Sequence, residues 1–474
     1  MSTVVAIDLG ATSGRVIAGH IQGGVIQHEV VSRFPNGPVE HADGLHWDVT
    51  GLFENIRQGL REAFEQHDDV VSIGVDSWAV DYGLLREGTL LHEPFHYRDD
   101  RTARGVSAIH TQAPFEELFR KNGLQFLPFN TVYQLAAEQW EGPAGSAEQL
   151  LLIPDLINFW LTGQSWMEET NASTTGLIDI STGALSDELV GLTGAPRHLF
   201  ATLIKPGQRV GDVSSALSAE LGIAGSVVAV GSHDTASAVV AAPLSFSDSA
   251  YISCGTWGLV GLELESAIVS DAARSANFTN ERGVDDRIRF LHNVMGLWLL
   301  NECVRHWNDH GDARSVEDLV AQAEDYDGVV SLFDVDDSVF MPPGNMPQRI
   351  ADWLAQHNQP VPTSEVAMVA SIIESLAKAF ATTVATAGAL AGITPRDISL
   401  VGGGSLNQLL CQRLADYAGI PVIAGPVEAT ALGNILIQAR AAGLIDGDLE
   451  SLRAVTTASS TLRTFTPRPE RGIL

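Results

Sequence analysis

Lysine is almost missing from this chain. Only Lys121, Lys205 and Lys378 occur among 474 residues. None follows a glycine-rich run, which excludes the GxxxxGK[ST] loop whose lysine reaches a nucleotide's phosphates. An anionic substrate must therefore be held by other means. Basic residues are scarce as a class: 28 Lys and Arg stand against 58 Asp and Glu, a formal charge of -30. That balance argues against a nucleic-acid backbone or an anionic membrane surface as a partner. The three cysteines, Cys254, Cys303 and Cys411, lie far apart, so there is no CxxC redox pair or zinc cluster, and an odd number makes a poor disulfide framework. A reducing cytoplasm is the expected setting. The opening MSTVVAIDLG has no basic stretch ahead of its apolar run, and no later segment holds ~18 apolar residues without a charge, so neither export nor a membrane is expected. What remains is 45% hydrophobic and 18% charged residues, a globular balance, over a length that suggests two to four domains at ~100–200 residues each.

The apolar pattern alternates between strand and helix periods. Val4 to Leu9, Arg15 to Gly19 and Val25 to Val31 are short apolar runs separated by glycine turns, the rhythm of a β-meander. Leu52, Phe53, Ile56, Leu60, Ala63 and Phe64 recur at helical spacing, and Val70 to Val75 is again a buried-type strand. Leu151–Ile153, Ser226–Val230, Ala250–Ser253, Ile288–His292, Ile398–Val401 and Pro421–Ile423 carry the same strand signal. A long helix is expected from about Ser364 to Leu390, stopped by Gly392. The chain reads as an α/β protein. IDLGATSGRVIAG and ISCGTWGLVGLEL both read as strand, Gly-Thr/Ser turn, strand, a short hint of two related halves. The expected boundary is AAPLSFSD, which divides the chain into 1–242 and 248–474.

Three glycine-bearing turns carry chemistry-prone side chains. Asp8 ends a buried strand directly before GATSGR, where a carboxylate is costly unless paired, hydrogen-bonded or beside a metal. It could cap its own turn or face a bound Mg-nucleotide, with Thr12 and Ser13 turned to the phosphates. Asp234 in GSHDTASA falls between a strand and a helix of small residues; it could be an N-cap, or a base receiving the proton of an oxygen nucleophile. Gly402-Gly403-Gly404 follows a strand but lacks the GxGxxG spacing of a dinucleotide fingerprint, and indicates only a close backbone approach. Thr256, between Gly255 and Trp257, could touch phosphate or merely close its hairpin.

Taken in order, IDLGATSGR, IGVDSWAVD, YRDDRT, GLQFLPFNTVYQL, LIPDLINFWLTG, GSHDTASAV, SCGTWGLVG, NVMGLWLLNE, LVGGGSLNQLLCQ and AGPVEATALGN resemble the FGGY family of carbohydrate kinases from about Val4 to Phe465. The resemblance implies two ribonuclease H-like α/β domains of the sugar kinase, Hsp70 and actin superfamily with a central cleft. It implies ATP and Mg2+ as cofactors and a small-molecule ketose as acceptor. Ala11, Thr12, Ser13, Gly14 and Arg15 would carry the ATP phosphates, with Asp8 near the magnesium, and Thr256, Asn301 and Gly403 would contact the nucleotide. Asp234 would be the catalytic base, flanked by His233 and Thr235 as sugar contacts, with Asn293 and Ala79 also at the substrate. Two positions depart from the family pattern: DTWGVDF reads DSWAVDY here, which puts Ala79 in place of a glycine, and Asn301 stands for a longer glutamine. The reaction implied is ATP-dependent phosphorylation of L-rhamnulose at O1. Fuculose, xylulose or glycerol are the alternative acceptors, and a sugar-responsive protein without turnover is the alternative outside enzymes.

Overall fold

The computed structural model describes residues 2–311 and 313–468. They form two compact units, and neither is one continuous stretch of chain. The first comprises residues 2–241, 264–290 and 429–459; the second comprises 242–263, the described part of 291–428, and 460–468.

The first unit is built on a six-stranded sheet in the order Arg209–Asp212, Ser226–Val228, Val70–Ser77, Ser2–Leu9, Ser13–Gln22, Val25–Pro35. The meander expected at the start is present: Ser2–Leu9, Ser13–Gln22 and Val25–Pro35 pair antiparallel in sequence. Val70–Ser77 then lies parallel to Ser2–Leu9, and Ser226–Val228 parallel to Val70–Ser77. The intervening helix Val49–Gln66 begins at Asp48, whose side chain accepts from the Gly51 amide, and buries Leu52, Ile56, Leu60 and Ala63.

Side chains alternate across a strand, and this alternation decides which face carries chemistry. Val5, Ile7, Leu9, Ile73 and Val75 belong to one apolar core with Ile56 and Leu60. Asp8 and Asp76 therefore fall on the other face, the one packed by the helix Ala429–Ala441, whose Asn434 and Gln438 meet Gly74. The short helix Asp234–Val240 packs on the same late helix. A Cβ at Gly433 would stand 1.8 Å from the Ser237 carbonyl oxygen, so glycine is what lets the two backbones touch.

The second unit contains the strands Trp257–Leu264, Ala250–Cys254, Ile398–Val401, Val422–Ala424 and Arg463–Phe465 as consecutive neighbours of one sheet. Ala250–Cys254 and Trp257–Leu264 form the second strand-turn-strand, antiparallel, and Ile398–Val401 lies parallel to Ala250–Cys254. The strand-turn-strand matches the sequence reading; the parallel pairing is added by the structure. The long helix is Glu365–Ala391, ended by Gly392 at φ 69°. It is the one described helix long and apolar enough to cross a membrane, and two-thirds of its apolar window is buried inside the protein, as in a core helix. Cys254, Cys303 and Cys411 are free thiols, all buried.

Candidate active site

Three carboxylates meet at the carboxyl ends of the parallel strands, where open α/β sheets present their ligand sites. Asp8 and Asp76 are direct partners in the parallel register. Ser77 donates its amide to the Ser232 carbonyl at 2.9 Å and forms a bridge with His233, which brings Asp234 alongside. Burial, then the neighbouring charge of Asp8, push the Asp76 carboxyl well above the ordinary range; an Asn434 hydrogen bond opposes this, and Asp234 adds to it. Asp76 Oδ2 accepts from Asn434 Nδ2 at 2.5 Å, while the buried Oδ1 has no hydrogen-bond partner. Against these acids stands Arg15, ion-paired with Asp8 at 2.5 Å. Oxygen donors of one sign at a strand end suit a hard divalent cation such as Mg2+.

The turn between the first two strands is held by backbone groups. Gly10 donates its amide to the Ser13 carbonyl at 2.9 Å, and Asn36 donates from its side chain to the Gly10 carbonyl at 2.7 Å. Thr12 is exposed at the tip, Ala11, Ser13 and Arg15 are half-buried, and Gly14 is buried. A Cβ on Gly14 would lie 2.1 Å from the Phe34 ring, so packing under the turn already demands glycine there.

Asp234 is the first residue of its helix, and His233 is the cap. Its Oδ1 accepts from Thr235 Oγ1 at 3.1 Å and lies 3.4 Å from His233 Nε2. On the other side of the imidazole, Arg289 donates to His233 Nδ1 at 3.1 Å and pairs with Glu281 at 3.1 Å. Glu281 Oε2 lies 3.4 Å from the same Nδ1, so a guanidinium and a carboxylate both face that ring nitrogen, while Nε2 faces Asp234. Arg289 is fully buried. Burial pushes the Glu281 carboxyl up, but Arg289 together with His233 outweighs it and holds the group below the ordinary range. A second buried acid fixes the backbone: Glu168 accepts from Ser232 Oγ at 2.7 Å, Ser232 N at 3.1 Å and Thr170 Oγ1 at 2.6 Å.

Ala79 lies in the turn that follows Asp76, half-buried, with Val80 at φ 69°. A β-branched residue in that left-handed region is strained, and a hub holds it. Asp81 Oδ2 accepts from Trp47 Nε1 at 2.6 Å, Trp78 Nε1 at 3.1 Å and the Tyr97 amide at 3.2 Å, and Oδ1 from Gln134 Nε2 at 2.7 Å. Thr131 Oγ1 donates to the Val80 carbonyl at 2.6 Å. Burial pushes the Asp81 carboxyl up to about 7 against these donors.

In the second unit, Thr256 sits in the hairpin turn, and its carbonyl accepts from Gly296 and Trp298 amides at 3.2 Å each, at the start of the helix Trp298–His310. Asn301 is exposed in the first turn of that helix. Gly403 is exposed with nothing near its missing Cβ, whereas a Cβ on Gly404 would strike Cys254 Sγ at 2.4 Å. The Gly402–Gly404 turn is thus seated on the strand that leads into Thr256. Asn293 is half-buried on the strand Ile288–Met295. Sequence reasoning gave no role to Asp76, Asp81, Glu168, Glu281 or Arg289. The only available signal was a charged residue inside an apolar strand pattern, as for Arg289 in IRF.

Residues 3–241 match the N-terminal domain and residues 250–442 the C-terminal domain of the FGGY family of carbohydrate kinases. A protein of Pectobacterium atrosepticum named rhamnulokinase is 40% identical over 475 residues, spanning 99% of this chain and 94% of its own length. One of the same name from Bacteroides thetaiotaomicron is 36% identical, spanning 98% and 95%. Among solved structures, gluconate kinase from Lactobacillus acidophilus superposes with a TM-score of 0.79 at 15% identity, covering 99% of this chain and 94% of its own, a likeness of fold.

Proposed function

The chain belongs to the FGGY family of carbohydrate kinases, and from that premise we propose its reaction: transfer of the γ-phosphoryl group of ATP to O1 of L-rhamnulose, giving L-rhamnulose 1-phosphate. The sugar comes from relatives of nearly full-length similarity that carry the name rhamnulokinase. The observation that carries the chemistry is the placement of Asp234, a helix-start carboxylate with its Oδ1 between the Thr235 hydroxyl and the His233 ring. With so few lysines, neutralising the phosphates falls to a divalent cation that the carboxylate strand end could hold, and the reaction depends on positioning and charge neutralisation more than on covalent help.

Asp234 accepts the O1 proton as the bond to phosphorus forms. His233 and Thr235 hold the carboxylate and contact the sugar, with Asn293 and Ala79 as further substrate positions. The Ala11–Arg15 turn takes the phosphates through its amides and hydroxyls, and Thr256, Asn301 and Gly403 take the rest of the nucleotide. Asp8 and Asp76 would hold Mg2+, which supplies charge neutralisation on the phosphates. The three free, buried cysteines fit a reducing cytoplasm.

ADP release over a panel of L-rhamnulose, L-fuculose, L-xylulose and glycerol tests the reading, with L-rhamnulose expected to give the highest kcat/KM. Preference for another acceptor would overturn the sugar assignment. In the same panel, Ala79→Gly is expected to shift the ratios among the ketoses by roughly 10-fold or more, since one methyl in a pocket changes discrimination by ~1–3 kcal/mol, with the KM for ATP little changed. Equal ratios in both proteins would remove Ala79 from the pocket. Asp8→Ala is expected to raise the magnesium requirement and lower kcat while sugar affinity without nucleotide stays the same. A collapse of sugar affinity at unchanged magnesium dependence would exchange the two roles.

A further inference from the structure

His20, His67 and Glu29 have no part in the proposed reaction, yet they converge. His20 lies near the end of the strand Ser13–Gln22, Glu29 on the strand Val25–Pro35, and His67 caps the C-terminus of the helix Val49–Gln66. Glu29 Oε1 is 3.0 Å from His67 Nε2 and 3.5 Å from His20 Nε2. One ligand atom from each of the three residues lies within 4.8 Å of the others. The two imidazoles meet edge to face with centroids 4.7 Å apart. Nitrogen and oxygen ligands at about 2.0–2.2 Å from a tetrahedral Zn2+ stand about 3.3–3.6 Å from each other. The His20 distance to the carboxylate oxygen already falls on that edge, and the His67 distance is about 0.3 Å short of it.

The protons in the cluster are constrained from behind. Thr3, 1% exposed, donates its hydroxyl to Asp69 Oδ1 at 2.8 Å. A carboxylate only accepts, so the Thr3 oxygen can meet His20 Nδ1, 3.0 Å away, only as an acceptor. Nδ1 of His20 therefore carries the ring proton, and in the neutral ring Nε2 turns a lone pair toward Glu29. An outer carboxylate acting through a hydroxyl on the far nitrogen is the arrangement that orients a metal-binding histidine. A lone pair and a carboxylate oxygen face each other here, and the contact calls for a positive centre between them, a metal ion or a proton. His67 Nε2 is buried with no hydrogen-bond partner. The two histidine side chains are 12% and 16% exposed and the Glu29 side chain 54%, so one side of the cluster is open to water.

We propose that His20, His67 and Glu29 bind one divalent ion of the Zn2+ class, with water in the fourth position. Two imidazoles and a carboxylate suit Zn2+ or Co2+, whereas Mg2+ prefers oxygen donors and octahedral geometry. The ion is distinct from the one proposed at Asp8, which lies at the other end of the strand Ser2–Leu9 from Thr3. It clips the second and third strands to the C-terminal end of the first helix, and its effect is on stability, not turnover.

The test uses the full chain after chelator treatment, with Co2+ as the spectroscopic probe. One equivalent of Co2+ is expected to produce the visible d–d absorption of a tetrahedral site, and Zn2+ to displace it. His20→Gln and His67→Gln are each expected to lose the signal, and Glu29→Gln, an exposed change with little effect on folding, to weaken binding at least 10-fold. Zn2+ well above its Kd is expected to raise Tm by about 5 °C in the parent and not in the histidine variants, with ADP release unchanged in all of them. Two results would overturn the site: a parent without tetrahedral absorption, or a signal that survives both histidine substitutions. If the three residues are held together by a proton alone, Zn2+ leaves the Tm of the metal-free protein where it was, which also overturns the proposal.

Discussion

Asp234→Asn is expected to lower sugar-dependent ADP release by about 10²–10⁴-fold with ATP affinity nearly unchanged. Asparagine keeps the size of the side chain and one carbonyl oxygen, so Thr235 Oγ1 can still donate to it as it does to Oδ1 at 3.1 Å. What it loses is the capacity to take a proton. The helix Asp234–Val240 keeps its cap because that residue is His233, and the backbone before it stays pinned by Glu168 through Ser232 N and Oγ. The fold should therefore survive and the reaction should not. Steady-state kinetics beside nucleotide titration checks this: turnover within tenfold of the parent in a correctly folded variant would remove Asp234 as the base.

Arg289→Met is expected to destabilise the first unit by about 3–5 kcal/mol at neutral pH, the range for breaking a buried ion pair from one side. Arg289 is 0% exposed and Glu281 6%, so no water replaces the guanidinium. The pH dependence separates this cause from lost packing. In the parent the Glu281 carboxyl is held below its ordinary range; its contribution is present above the unfolded-state value of about 4.5 and is lost as pH falls through the lower folded-state value. In the variant burial is opposed by His233 alone, so the carboxyl rises from its place in the parent and contributes less above the unfolded-state value. The gap between the two proteins should thus be widest at neutral pH and close toward acid. A second substitution, Glu281→Gln, should recover part of the loss. Urea unfolding across pH checks both, and a loss that does not vary with pH would mean that packing alone was removed. Sugar turnover should fall too, by less than in Asp234→Asn, because His233, the neighbour of Asp234, loses the Arg289 contact at Nδ1 that helps to hold its ring.

The elements that local pattern specifies were legible in the sequence. The opening meander, the helix after Asp48, the long helix ended by Gly392 and the second strand-turn-strand each follow from apolar period and glycine placement, which act within a few residues of one another. The chemistry-prone turns were legible for the same reason: Asp8 before GATSGR and Asp234 in HDT are written contiguously. Ordered motifs from Val4 to Phe465 also identified the family. The partners of those residues were not legible. Arg289 and Glu281 lie some fifty residues beyond His233, and in an alternating strand a charge usually marks the wet face; only the packing of residues 264–290 into the first unit turned that face inward. Asp76 acquires its raised carboxyl from burial and from the parallel register with Asp8, and the hydrogen bond that opposes the rise comes from Asn434, 358 residues away in the chain. Pairing register and burial are sums over distant segments, and a local pattern holds no record of them. The sequence by itself determined the elements, the turns and the family; the tertiary structure alone decided which buried charges stand behind the base, because a charge can be buried only where a partner from elsewhere in the chain arrives to compensate it.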